Sequence, residues 1–166
     1  HILPVLRHNA WDILSLVALA AQLAGACDGR EFPLQSARAA EYAGEHALAA
    51  MRYEEAIEDG IGRAGRLEAL ERAARNHARS ANWAAAATCW EALIAEPRSR
   101  RLLPYVELAK IAEHRFGDTA RALALVERAL ELGAKGLAPA GPVNSELALP
   151  ALERRRTRLL KRAARA

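Results

Sequence analysis

Two stretches of the sequence, residues 67–95 and 103–132, repeat one spacing of small and large side chains. Each stretch holds two segments with apolar residues at helical intervals, separated by a short turn. Ala86 and Ala122, which are 36 positions apart, stand at the same place in the second segment of each stretch. Two helices joined by so short a turn pack antiparallel. The sequence therefore predicts an all-α fold built from antiparallel helical hairpins.

Composition agrees with helices rather than sheets. Hydrophobic residues make up 52% of the chain and aromatic residues only 5%, and much of the apolar share is alanine, the strongest helix former. The longest apolar run, over residues 13–26, contains Ser15 and Gln22 and is shorter than the ~20 residues of a membrane span. We therefore expect no membrane contact and a cytoplasmic location. Cys27 and Cys89 fit no disulfide or metal-binding spacing, which is typical of free thiols in a reducing compartment.

Turn and cap signals divide the chain into helices. Asn82 is a favoured residue immediately before a helix, whereas Pro97 cannot continue one. The predicted helices cover residues 9–24, 34 or 35 to 50, 53–59, 67–80, 83–95, 103–116, 119–132 and 150–165. Gly133 is expected to end the last hairpin, and the glycines and prolines that follow predict a loop over residues 134–149.

The spacing of small and large residues in the hairpins resembles the tetratricopeptide repeat (TPR). In that family, small residues at the helix crossing allow close packing, and a large residue fills the space beside the next hairpin. Ala86 and Ala122 would be the close-approach residues, and Trp83 and Trp90 would be the large ones. The alternative is a set of generic antiparallel helices whose alanine content imitates the repeat.

A third, degenerate repeat is expected in front of the other two, where a terminal unit is commonly atypical. It would include Ala43-Gly44, Tyr53 and Ala56. The resemblance thus implies a TPR-like α-solenoid over residues 35–133. In such an array each hairpin contacts mainly its neighbours.

The stretch VLRHNAWDILSL near the start of the sequence carries residues with a specific chemical meaning. His8 and Asp12 are four positions apart, so on a helix they share one face. An imidazole and a carboxylate at that spacing can bind a divalent metal and orient a water molecule, although many helices carry such a pair only as a surface contact. The HNxxD pattern and the apolar helix after it resemble the final motif of the ribonuclease-H-like DEDD exonucleases, specifically bacterial YprB-type proteins with a helical-repeat extension.

That resemblance implies that residues 1–26 form the last helix of a nuclease domain whose remainder is not in this sequence. Asp12 would then be a ligand of catalytic Mg²⁺ or Mn²⁺, and His8 would orient a water or act as general base. The strand-borne acidic residues that complete a two-metal site do not occur before His8. We therefore predict that the fragment itself cuts no nucleic acid and holds no cofactor. We also expect its apolar helix to be buried against the first hairpin or a neighbouring molecule.

Basic residues are concentrated at the C-terminal end. From Pro142 onward seven basic residues stand against two acidic ones, whereas residues 1–141 carry 17 basic and 18 acidic residues. The predicted helix within 150–166 has candidates for binding nucleic acid phosphates, namely Arg154, Arg155, Arg158, Lys161 and Arg162. The alternative, which we favour, is a helix that caps the array with its leucines and keeps its arginines in water. No aromatic stacking residue accompanies these charges.

The two resemblances together imply an interaction or scaffolding module from the C-terminus of a ribonuclease-H-like 3′–5′ exonuclease. The face formed by the first helices of the hairpins is expected to bind a protein segment or the nuclease domain of the same protein. The basic tail is the candidate contact for nucleic acid. The alternative is a stand-alone TPR-type protein–protein adaptor with no link to nucleases. An upstream sheet domain with paired acidic residues would favour the nuclease, and a start codon near His1 would favour the adaptor.

Overall fold

The computed structural model describes residues 3–27, 32–96, 101–135 and 147–164, which form eight α-helices and no β-strand. The all-α prediction is therefore confirmed. No helix within these ranges is both long and apolar enough to cross a membrane. The helices are α1 (Leu3–Cys27), α2 (Pro33–Tyr42), α3 (His46–Glu58), α4 (Arg63–Arg79), α5 (Trp83–Ala95), α6 (Leu103–His114), α7 (Thr119–Ala134) and α8 (Leu149–Ala163).

Side-chain caps and prolines define where several helices begin. The Asn82 side-chain oxygen accepts a hydrogen bond from the Ala85 amide at 3.3 Å and caps α5 as predicted. The Asp118 carboxylate accepts one from the Arg121 amide at 2.8 Å and caps α7. A proline occupies the first turn of α2, α6 and α8, where its missing amide hydrogen costs nothing.

The predicted single helix from 34 or 35 to 50 is wrong. The chain turns at Gly44, which has a φ of +79°, and α3 absorbs the short helix predicted over 53–59. Gly44 donates a hydrogen bond to the Glu41 carbonyl and Glu45 donates one to the Ala40 carbonyl, both at 3.0 Å, which satisfies the end of α2. The alanines on both sides favour helix, but a glycine that adopts a left-handed conformation without strain ends it.

Three consecutive helical hairpins place their turns at nearly equal intervals along the sequence. They are α2–α3, α4–α5 and α6–α7, and in each the two helices pack on one another. The turn of each hairpin has a residue of positive φ, namely Gly44 (+79°), Ala81 (+60°) and Gly117 (+69°). These residues are 37 and 36 positions apart. The hairpin turns are therefore structurally equivalent, and the front hairpin turns at Gly44 just as the third turns at Gly117.

The core runs between the helices of the hairpins and into α8 as two clusters of buried residues. One cluster of buried residues spans α2 to α6, and a second joins α6 and α7 to Leu147 and α8. Leu152 and Leu159 of α8 are completely buried. Gly133 does not end α7 as predicted, because the helix continues to Ala134. A Cβ at Gly133 would lie 2.6 Å from Leu149 Cδ2, so this glycine allows the start of α8 to approach α7. The predicted loop over 134–149 falls largely outside the described residues.

Helix α1 contacts α2, but its apolar side chains are exposed on every face. Trp11, Leu16 and Leu23 are 69%, 65% and 61% exposed. The expectation that this helix is buried against the first hairpin is therefore wrong, since no described helix covers these side chains. The other part of the expectation, burial of this helix against a neighbouring molecule, stays a prediction.

Candidate functional site

A groove of about 430 Å³ lies between α4, α5 and α6. Helix α4 contributes the arginines of one wall, α5 contributes two tryptophans, and α6 with the residue after it forms the other wall. The side chains that define its character are Arg75, Arg79, Trp83, Trp90, Lys110 and Arg115. The groove is thus a concave site with an aromatic surface between rows of basic groups.

The aromatic surface belongs to α5. Trp83 and Trp90 are seven positions apart and therefore lie on one face of that helix. Trp90 is 2% exposed and is part of the core, whereas Trp83 is only half-buried. The guanidinium carbon of Arg115 lies 4.0 Å from the centroid of the Trp83 ring. This cation–π contact orients the exposed arginine along the groove.

The rim of the groove has an excess of positive charge. Four lysine or arginine side chains line it, and the one carboxylate among the lining residues is Glu107, whose Oε1 lies 2.8 Å from Lys110 Nζ. Arg75 also pairs outside the groove, with Glu71 at 2.7 Å. The rim as a whole therefore favours a ligand with negative charge.

A second, more polar cavity of about 520 Å³ shares Arg75 and Arg79 with the groove. At its edge the Tyr53 hydroxyl and the Arg72 guanidinium each donate a hydrogen bond of 2.9 Å to Glu41. Partial burial alone would raise the pKa of Glu41, but these hydrogen bonds, together with the positive charge of Arg72, hold the pKa below its usual value. Burial and the Glu41 carboxylate raise the pKa of Tyr53. The cluster ties α2, α3 and α4 together.

The candidate catalytic pair lies on α1 with both side chains exposed. His8 Nε2 and Asp12 Oδ2 are 3.6 Å apart, and the two side chains are 80% and 58% exposed. The sequence prediction that they share one helix face is confirmed. Within the described residues, neither belongs to a group of three metal-ligating side chains. The proposed metal role of Asp12 and the general-base role of His8 stay predictions.

The five basic candidates on α8 divide into two sets. Arg155, Arg158 and Arg162 surround Glu113 of α6, whose side chain is 2% exposed, at 3.4, 2.6 and 3.7 Å. Arg154 and Lys161 are exposed, and neither forms an ion pair with another residue in the described part of the chain. The first set therefore neutralises a buried carboxylate. A role of all five in binding nucleic acid stays a prediction.

One cluster was missed by sequence reasoning. His77 is buried in the core, and it lies 2.9 Å from Glu54, which in turn lies 3.7 Å from the Cys89 thiol. The spacings of 23 and 12 residues along the chain carry no recognisable signal. Only the packing of α3, α4 and α5 brings these groups together.

No protein-family model matches this chain, and neither a curated protein nor a solved structure is significantly similar to it. The resemblances to TPR proteins and to ribonuclease-H-like exonucleases therefore stay predictions that rest on the residues quoted for them.

Proposed function

We propose that this chain is a TPR-like helical-repeat module that binds an acidic protein segment in the groove between α4, α5 and α6. The observation that carries the proposal is the combination of a half-buried tryptophan, Trp83, and surplus basic side chains in one concave site. An apolar side chain of the segment would lie against Trp83, and its carboxylates would meet Lys110 and Arg115.

The equivalence of the three hairpins supports the TPR-like architecture. In the second helix of each hairpin a buried alanine is followed four residues later by a buried larger residue. These pairs are Ala49 and Tyr53, Ala86 and Trp90, and Ala122 and Val126. The small residue allows close approach of two helices, and the large residue fills the space beside it.

Ion pairs between successive hairpins supply further support. Arg101 lies 2.8 Å from Glu71, 30 positions earlier, and Arg38 lies 2.7 Å from Glu68, 30 positions later. Arg121 pairs with Glu91 at the same separation. These pairs tie neighbouring hairpins together, as is expected of an array in which each unit contacts mainly the next.

A protein segment fits the groove better than a nucleic acid does. A nucleic acid backbone favours a continuous track of basic groups, and here acidic groups interrupt the basic ones. Glu107 lies inside the groove and Glu71 pairs with Arg75 beside it. A peptide can place single carboxylates between these acidic side chains, which a chain of closely spaced phosphates cannot.

Fluorescence anisotropy tests the proposal. The probe is a labelled peptide of alternating glutamate and leucine, compared with a matched peptide of lysine and leucine and with single-stranded RNA. We expect only the acidic peptide to bind, with an affinity that falls as salt is raised. Lys110→Glu and Arg115→Glu should each weaken binding about tenfold, since each replaces an attraction with a repulsion.

Arg128→Glu is the matched control, because it makes the same charge change at an exposed position of α7 outside the groove lining. Equal weakening by this variant would reduce the effect to net charge and would overturn the assignment of the groove. Tighter binding of RNA than of the acidic peptide would replace the proposed ligand class.

The link to a nuclease is a second proposal, supported by the exposed His8 and Asp12 on one face of α1. Its test is the complete gene product, assayed for exonuclease activity with Mn²⁺. Asp12→Asn should abolish that activity, while Lys110→Glu should leave it intact. A gene with no upstream sheet domain would instead favour the stand-alone adaptor.

A further inference from the structure

Three side chains of metal-ligating type meet between α3, α4 and α5. Glu54 Oε1 lies 2.9 Å from His77 Nε2 and 3.7 Å from Cys89 Sγ. The ligand atoms of all three residues lie within 4.8 Å of one another. Because each residue comes from a different helix, the cluster is a product of tertiary packing.

The surroundings of the cluster are mostly apolar but open on one side. His77 and Cys89 are 8% and 5% exposed, while the Glu54 side chain is 43% exposed. Two ligands are thus held by the core, and the third faces solvent. This opening gives an ion a path into the cluster and leaves room for a water molecule on it.

The other hairpins indicate that packing does not require these residue types. The position of His77 corresponds to Ala40 in the first hairpin and Glu113 in the third. Cys89 corresponds to Arg52 and Leu125 by the same register. An alanine can therefore occupy the position of His77, and a leucine the position of Cys89, in other hairpins of this fold. Histidine, cysteine and glutamate meet only where the second hairpin packs on the first, among the described residues.

We propose that Glu54, His77 and Cys89 bind one zinc-class divalent cation, with a water molecule as fourth ligand. Zinc bonds of about 2.0–2.3 Å to N, O and S in a tetrahedron put neighbouring ligand atoms roughly 3.3–3.8 Å apart. The separation of Cys89 from Glu54 already meets this requirement. The pair of His77 and Glu54 must open by about 0.5 Å, which the half-exposed glutamate can supply by a side-chain rotation.

The charge balance of the site also fits a divalent cation. A neutral imidazole, a carboxylate and a thiolate together carry two negative charges, which one such cation neutralises. The Cys89 thiol is 5% exposed, and a thiol buried in apolar surroundings is protonated and is not an activated nucleophile. Metal binding would form the Cys89–metal bond and release the thiol proton to solvent.

Cobalt and zinc titrations of the full chain test the site. Co²⁺ should bind with a stoichiometry of one and give the near-ultraviolet absorption of a thiolate ligand. At a free concentration about 100 times its dissociation constant, Zn²⁺ should raise the melting temperature by roughly 5–10 °C. A pH indicator should record the release of a proton on binding.

Cys89→Ala should abolish both the absorption and the thermal shift, and Glu54→Gln should weaken metal binding at least tenfold. Cys27→Ser is the control, since it removes the other thiol and should change neither readout. A wild-type chain without thiolate absorption would overturn the proposal, even if the Cys89 variant failed to fold. Persistence of the absorption in a folded Cys89→Ala chain would overturn it equally.

Discussion

Helices α1 and α8 flank the same three hairpins but meet them differently. Leu152 and Leu159 of α8 are completely buried, and the arginines on the same helix surround the Glu113 carboxylate. Along α1, by contrast, large apolar side chains such as Leu16 remain more than half exposed. The more apolar of the two helices is therefore the less buried one.

The difference lies in the pattern of the side chains rather than in their total hydrophobicity. A helix with one narrow apolar stripe can bury that stripe on a single neighbour and leave its charges in water. A helix that is apolar on all faces needs partners on several sides, and among the described helices α1 packs mainly on α2. Each leucine left in water forgoes about 1.5–3 kcal/mol of burial.

The largest expected effect concerns matched leucine truncations in the two helices. Leu159→Ala should lower the free energy of unfolding by about 3 kcal/mol, because it opens a cavity in a fully buried site. Leu16→Ala, at a side chain that is 65% exposed, should cost less than about 0.5 kcal/mol. Urea denaturation of both variants measures the contrast. Equal losses would mean that α1 is buried in solution and would remove the difference between the two helices.

The next effect concerns the charges that hold α8. Glu113→Gln should lower the free energy of unfolding by about 1–2 kcal/mol, since it removes the buried anion facing Arg155 and Arg158. The loss should shrink at high salt. Glu153→Gln, on the exposed side of α8, is the control and should be neutral. A harmless Glu113→Gln would mean that these ion pairs do not contribute to holding α8 in place.

Near the other end of the array, Glu41 of α2 is a second carboxylate held by side chains of neighbouring helices. Its pKa is lower in the folded chain than in the unfolded chain, because Arg72 and Tyr53 donate hydrogen bonds to it. The resulting stabilisation is complete above the unfolded pKa and is lost as pH falls through the folded pKa, below 4.5. Glu41→Gln should therefore reduce the fall in the free energy of unfolding at acid pH. Glu55→Gln, at an exposed site, should leave that fall unchanged. Identical curves of unfolding free energy against pH for the wild type and Glu41→Gln would contradict this role of Glu41.

The smallest effect lies between the two ends, at the turns of the hairpins. Ala81 has a φ of +60°, where the other two turns have glycine. Ala81→Gly should raise the free energy of unfolding by about 0.5–1 kcal/mol, after the greater freedom of glycine in the unfolded chain is included. Gly117→Ala should lower it by about 1 kcal/mol. Thermal melts of both variants measure the two shifts, and shifts of the same sign would contradict the shared turn geometry.

The sequence was sufficient to predict the helices with strong local signals. Helix α5 begins and ends where predicted, because Asn82 caps its start. Helices α6 and α7 begin at the predicted residues and end within two residues of the prediction. The break at Gly44 was missed because the alanines around it favour helix, although its register relative to Gly117 was present in the sequence.

The groups that make up the candidate sites were less predictable. The shared face of His8 and Asp12 follows from helical geometry alone, so sequence was enough. Glu113 and Arg158 are 45 positions apart, and no local rule relates them. The cluster of Glu54, His77 and Cys89 likewise depends on how three helices pack. Long-range contacts of this kind are set by the crossing of helices, which a single sequence does not encode in any short window.

The arginines around Glu113 have a consequence for deletion mapping. Removing α8 would take away the arginines that neutralise the buried Glu113 carboxylate. It would also expose the core residues that Leu152 and Leu159 cover. If a chain without α8 no longer bound a partner, the loss could come from damage to the third hairpin as well as from the loss of a binding contact on α8. Arg154→Glu and Lys161→Glu change the outer surface of the same helix without touching Glu113. Point substitutions at these two residues, rather than a shorter chain, are therefore the way to test whether the basic helix binds a partner.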